Sequence, residues 1–215
     1  MRHAILIFLL ALMSTPVAAE IFPSSWDVQP PLPGMPAPAF TVSDVEGERV
    51  DFDPGAMQRP VVLTFYRGGW CPYCNMHLAE LRKTEDALRE LGFDVWFVSP
   101  DRPALLAEGD HARYGYRLLS DAEAHASQAF GIAFRVDDKT HAAYQQHGVD
   151  LEDRSAHEHR SLPAPATFVI GGDGIIQFAY VNPDYTVRLA PEVLLAAARA
   201  YAEGAQERLE RRRRN

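Results

Sequence analysis

The chain has 215 residues, 47% hydrophobic and 23% charged, a composition that suits one globular domain and excludes disordered or collagen-like chains. Lys+Arg 21 against Asp+Glu 29 gives a formal charge of -8, so no basic field exists to hold a nucleic-acid backbone. The 2 cysteines exclude a disulfide-dense scaffold and a zinc site built from four thiolates.

Residues 1–19 run from Arg2 and His3 through an apolar stretch, Ala4 to Met13, to small residues ending Val17-Ala18-Ala19. That is the order of a secretory signal cut after Ala19. The stretch is too short to span a bilayer, and a retained anchor is the alternative. The expectation is an exported protein, periplasmic if the host is Gram-negative, that meets a membrane only before cleavage. Two thiols can pair in that oxidising space. Prolines 23, 30, 31, 33, 36 and 38 then favour extended backbone, and residues 20–34 read as a linker. The domain is expected over 35–200, with a helix end and basic tail at 201–215.

Within the domain, Ala39 to Val42 and Arg49 to Phe52 flank a turn at Glu46-Gly47, a small hairpin. Val61 to Tyr66 is a short, nearly continuous apolar run, as expected of a buried central strand. Met76, Leu78, Leu81, Leu88 and Leu91 recur at largely helical spacing up to Gly92, predicting one helix of roughly twenty residues. Phe93 to Val98 is a second buried strand, so strand, helix and strand form the βαβ unit of a parallel sheet. Tyr116 to Leu119 reads as a short strand, and Ala122 to Phe130 and Lys139 to His147 as short helices. Gly148 to Ser161 reads as an irregular loop. Ala166 to Ile170 and Ile175 to Val181 flank Gly171-Gly172-Asp173-Gly174 as a hairpin, and Pro191 to Leu209 closes with an amphipathic helix. In the tail, Arg208 and Arg211 to Arg214 read as a solvated end or as a surface for an anionic partner.

The chemistry concentrates in Trp70-Cys71-Pro72-Tyr73-Cys74, where the central strand turns into the long helix. Cys71 falls at the helix N-terminus, where unpaired N–H groups and the macrodipole stabilise a thiolate and make it a nucleophile near neutral pH. Cys74, about one turn further in, is expected to stay a thiol until an adduct forms on Cys71, and then to resolve it. Pro72 lacks an N–H and pre-sets its φ, which suits a first helical turn. As a staple the pair is poor: a four-residue ring contributes about 2 kcal/mol against ~4.7 for a hundred-residue loop. Redox chemistry is the better reading. Pro165 stands just before a predicted strand, where it either bends the chain through a cis bond toward the thiols or is an ordinary trans loop proline.

Phe65-Tyr66-Arg67-Gly68-Gly69-Trp70-Cys71-Pro72-Tyr73-Cys74-Asn75, Ser99-Pro100-Asp101, Leu118-Leu119-Ser120-Asp121 and Pro165-Ala166-Thr167-Phe168-Val169-Ile170 together resemble the peroxiredoxin-like branch of the alkyl hydroperoxide reductase and thiol-specific antioxidant family. The similarity covers roughly Gly34 to Ala200. It implies an α/β thioredoxin-like fold, a central mixed sheet flanked by helices with extra N-terminal strands, and no cofactor. It further implies Cys71 as the peroxide-attacking cysteine and Cys74 as the resolving one. The Trp-Cys-x-x-Cys spacing also resembles thioredoxins, and the intervening Pro-Tyr is that of glutaredoxins.

Two departures stand out. Thr64 and Gly68 occupy the places of the family's proline and hydroxyl residue ahead of the cysteine, and Pro165 that of its arginine. Those groups donate to the thiolate and to the peroxide oxygens as the O–O bond breaks. Arg67 is either a substitute cation or a surface arginine. His77, three residues after Cys74, either accepts that thiol's proton or faces solvent, the latter being favoured. Two enzyme readings follow. One is a peroxide reductase regenerated by a thioredoxin-type thiol donor; the other is an oxidoreductase acting on protein disulfides. A third reading makes Cys71, Cys74 and His77 a copper or zinc carrier.

Overall fold

The computed structural model describes residues 20–108 and 115–205, so the expected signal sequence and arginine tail lie outside the described residues. Strands β1 (Phe40–Ser43) and β2 (Arg49–Phe52) form the expected hairpin, with Phe40 opposite Phe52 and their rings stacked at 4.7 Å. Strand β3 (Val61–Phe65) is buried throughout, because its period of two sends Val61, Leu63 and Phe65 into one core and Val62 into another.

Helix α1 (Pro72–Arg82) and helix α2 (Glu85–Glu90) follow, then β4 (Asp94–Ser99), parallel to β3. The single long helix read from the leucine spacing is therefore two. Its period survives the break, with Leu81 and Leu88 in the same core, but the Thr84 hydroxyl takes the Leu81 carbonyl at 2.7 Å. A β-branched hydroxyl residue that bonds back to its own turn competes with helix continuation, and Glu85 and Asp86 suit the head of a new helix.

Helix α3 (Pro103–Leu106) leads to β5 (Arg117–Ser120), then come α4 (His125–Ala129), β6 (Ala133–Arg135), α5 (Asp138–Gln146), α6 (Leu151–Ser155), β7 (Ser161–Pro163), β8 (Ala166–Ile170), β9 (Ile176–Val181) and α7 (Pro191–Ala202). The stretch expected to be an irregular loop thus contains α6 and ends in β7. Asp150 caps α6, accepting from the N–H groups of Glu152 and Asp153, a start signal present in the sequence.

One seven-stranded mixed sheet, ordered β2-β1-β5-β4-β3-β8-β9, forms the centre, and β6 pairs with β7 beside it. On one face, Phe65, Phe130 and Phe168 pack with centroids 4.8 to 6.2 Å apart, and β1 and β2 add Phe40 and Phe52. On the other face α1, α2 and α7 cover Val62, Val95 and Val169. This is the thioredoxin-like arrangement expected, with the two extra N-terminal strands at one edge. The proline-rich stretch is extended but bound to the domain. Phe22 is 8% exposed and exchanges backbone hydrogen bonds with Ala133 and Arg135, while Gly34 and Ala37 bond to Ile176 and Gly174. No cis peptide bond occurs among the described residues, so the peptide before Pro165 is trans.

Candidate functional site

The site lies where β3 ends and α1 begins. Gly68 has φ +131, a conformation glycine alone adopts readily. A Cβ there would meet the Trp70 ring nitrogen at 2.5 Å and Asp101 Oδ1 at 2.9 Å. Asp101, itself buried, accepts from the Gly69 N–H at 2.7 Å and from Arg154 Nε of α6 at 2.6 Å. The Ser99-Pro100-Asp101 motif therefore fixes the loop that presents the cysteines, and α6 closes behind it.

Cys71 stands at the N-cap of α1 in extended conformation with Pro72 as the first helical residue, and Cys74 sits one turn on. Both are free thiols, 1% and 0% exposed. The Cys71 thiol is drawn down to about 6. The main cause is the hydrogen bond from the Cys74 thiol, helped by the Cys74 backbone N–H and by the charges of Arg67 and Arg188, all working against burial. The thiol of Cys74 is pushed up, since it is the donor to Cys71 and is buried. The pair is thus divided into a thiolate and a held thiol.

Arg67 is not a surface residue. It is 3% exposed, donates to the Tyr144 hydroxyl, and lies over the rings of Tyr185 at 4.0 Å and Trp70 at 5.1 Å. No carboxylate pairs with it among the described residues. A groove of about 230 Å³ runs past Arg67, walled by Tyr144, Tyr185, Phe134, Pro165 and Pro183.

His77 does not face solvent. It is 7% exposed and donates from Nε2 to the Leu189 carbonyl at 3.2 Å, a bond that fixes the tautomer and leaves Nδ1 without a partner. Burial and the nearby Arg188 charge hold it neutral down to about 4. Thr64 is buried, its hydroxyl 3.1 Å from that of Thr167 across the strand pair. Pro165 is buried, and its carbonyl accepts from the Asn182 N–H at 3.1 Å, pinning the start of the β9–α7 loop. Among the described residues no group of three or more His, Cys, Asp or Glu is placed to hold a metal ion.

The residue that sequence reasoning missed is Arg188. Its Nη2 lies 3.3 Å from Cys74 Sγ and 4.0 Å from Cys71 Sγ. The β9–α7 loop folds it back through Asp184, which accepts from both the N–H and the hydroxyl of Thr186 at 2.9 and 2.7 Å. Asn182-Pro183-Asp184 is legible as a turn, but no spacing ties an arginine to a cysteine 114 residues away.

A thioredoxin-type sheet with a Cys-x-x-Cys pair at a helix head is the frame of thiol redox proteins. Residues 33–179 match the AhpC/TSA family, and the chain belongs to that family. Its relatives include peroxiredoxin Bcp of Escherichia coli K12, 32% identical over 97 residues, covering 45% of this chain and 62% of that protein's length. A putative peroxiredoxin of Mycobacterium tuberculosis H37Rv is 28% identical over 159 residues, covering 74% of this chain and 90% of the relative. Among solved structures, peroxidoxin BcpB of Mycobacterium tuberculosis aligns with a TM-score of 0.59 at 22% identity, covering 78% of this chain and 96% of that one. A peroxiredoxin-like protein from Aquifex aeolicus gives 0.60 at 18%, covering 80% and 89%.

Proposed function

We propose that the chain is a thiol peroxidase in which Cys71 attacks a hydroperoxide and Cys74 closes the product to a disulfide. The observation that carries this reading is the division of the pair, with Cys71 favoured as thiolate at a helix head beside two arginines. The Cys71 thiolate forms an S–O bond with the terminal peroxide oxygen, the O–O bond breaks, and the alkoxide or hydroxide leaves and takes a proton. Arg67 and Arg188 offer N–H donors and positive charge in place of the hydroxyl donor and the arginine found at those places elsewhere in the family. Cys74 then attacks the sulfenic sulfur, the S–S bond forms, and hydroxide departs with the Cys74 proton as water. A dithiol donor of thioredoxin type restores the pair. The apolar groove beside Arg67 suits an organic hydroperoxide as well as hydrogen peroxide. We further propose that this takes place in an exported, periplasmic protein, which rests on the leader-like residues 1–19 and is checked by finding the mature N-terminus at Glu20.

A second reading, exchange with protein disulfides, draws on the rim of the site, where Tyr73 at 40% and Met76 at 59% exposure offer apolar surface to a polypeptide. Hydroperoxide consumption with dithiothreitol as donor, run beside reduction of a model protein disulfide, separates the two. Peroxide turnover that requires Cys71 supports the peroxidase. Disulfide reduction without peroxide turnover overturns it.

A further inference from the structure

The guanidinium of Arg188 is shared by two sulfurs but sits closer to Cys74, at 3.3 Å, than to Cys71, at 4.0 Å. Among the described residues no carboxylate pairs with it, and its Nε and Nη1 are buried without a hydrogen-bond partner. Its charge is therefore committed to the thiol pair. Arg67 is held apart from this task by Tyr144 and the surrounding rings, and its charge bears on Cys71.

While Cys71 is a thiolate, the arginine has an anion to serve, and Cys74 stays protonated as donor to that anion. Once Cys71 carries an adduct, whether a sulfenic hydroxyl or a mixed disulfide, its sulfur is neutral and accepts that bond poorly. The nearest anion available to Arg188 is then the one Cys74 becomes by losing its proton. We propose that Arg188 is the catalytic cation of the resolving step, passing from the Cys71 thiolate to Cys74 and stabilising the Cys74 thiolate that attacks the Cys71 adduct. In that attack the Cys74–Cys71 S–S bond forms and the S–O bond, or the bond to the partner's sulfur, breaks. The departing hydroxide or partner thiolate takes the proton that Cys74 released.

The Arg67 backbone N–H also bonds to Cys74 but stays in place in every Arg188 variant, and the other side chains facing this pair do not compete for the role. Tyr66, at the end of β3, is buried with its hydroxyl pushed far up, so it stays neutral, and Ser99 bonds to it. His77 of α1 faces Arg188 but is neutral and engaged at Nε2 with Leu189. Asp101 is taken up by Gly69 and Arg154.

The sulfenic branch rests on the peroxidase reading, so the test has one arm that does not need peroxide. In Cys71→Ser, which leaves Cys74 without a neighbouring thiolate, thiolate absorbance at 240 nm is followed against pH with Arg188 intact and with Arg188→Gln. The Cys74 midpoint is expected at least one unit lower with the arginine present, and Arg188→Lys is expected between the two. Equal midpoints would overturn the assignment, whatever the substrate. In the second arm the dithiol is mixed with hydrogen peroxide and the fluorescence is followed through the peroxide-dependent phase and the later closing phase. Each unit gained in thiolate formation raises the anion fraction tenfold and lowers its intrinsic nucleophilicity about threefold. Loss of one unit therefore predicts closure about threefold slower in Arg188→Gln, and of two units about tenfold, with Cys71 sulfinic acid accumulating at high peroxide. An unchanged closing phase with a lost first phase would assign the arginine to Cys71 instead. A wild-type protein inert to peroxide would sink the peroxidase reading, while the Cys74 titration would still decide the arginine's role.

Discussion

Replacing Cys74 by alanine should deprive Cys71 of the largest influence on its ionisation. The Cys71 thiol is drawn well below the ~8.5 of a free cysteine, so at pH 7 the thiolate share exceeds the about 3% of a free thiol. The first cause of that difference is the hydrogen bond from the Cys74 thiol; the backbone N–H of Cys74, Arg67 and Arg188 remain in the variant. Cys74→Ala is therefore expected to raise the Cys71 midpoint by about one to two units without restoring the free value. Cys74→Ser keeps an O–H donor and should shift it less. Absorbance at 240 nm between pH 4 and 10, checked by the pH dependence of iodoacetamide alkylation, reads the midpoint directly. A wild-type midpoint near the free-thiol value, or no movement in Cys74→Ala, would refute the division of the pair into thiolate and donor.

Other perturbations follow from the same geometry. Arg67→Met removes the buried cation on the Cys71 side and should slow the peroxide-dependent phase ten- to a hundredfold or more with little change in Cys74; an unchanged rate would return Arg67 to a structural role. His77 is held neutral to about 4 when folded but takes a proton near 6.5 when unfolded, so its contribution is whole above pH 6.5 and lost as pH falls through 4. Denaturant titrations should accordingly show the wild type losing about 3 kcal/mol relative to His77→Gln between pH 7 and 4, and a constant difference would contradict this. Gly68→Ala places a Cβ against Trp70 and Asp101 at φ +131 and should cost about 2 kcal/mol or more in thermal unfolding, while raising the Cys71 midpoint as the loop shifts. A variant as stable as the wild type would show that the loop tolerates the side chain.

Local signals carried much of the fold. β3 and β8 were legible as short apolar runs bounded by Pro and Gly, and burial on both faces is what such runs demand. The leucine period located the α1–α2 surface but not its break, because periodicity records the buried face and is blind to a hydroxyl that turns back on its own carbonyl. The helix α6 was signalled by Asp150 and the acids after it, yet lost in a polar stretch with no apolar period. In the site, Cys71, Cys74 and Pro72 were readable because their chemistry depends on spacing within one turn. The burial of Arg67 and His77 was not, since it depends on Tyr144, Tyr185 and Leu189, which arrive from other elements. Arg188 shows the same limit most plainly, as a loop residue brought to the thiols by a loop that Pro165 and His77 hold at its two ends from other parts of the chain.

The most direct test of the central claim is stopped-flow tryptophan fluorescence of the reduced protein mixed with hydrogen peroxide, with Trp70 beside the reacting sulfur as the reporter. A second-order phase about a hundredfold or more faster than a free thiol is expected, absent in Cys71→Ser and followed by a closing phase absent in Cys74→Ser. A wild-type rate no greater than that of a free thiol, in a protein whose Cys71–Cys74 disulfide still exchanges readily with dithiols, would contradict it.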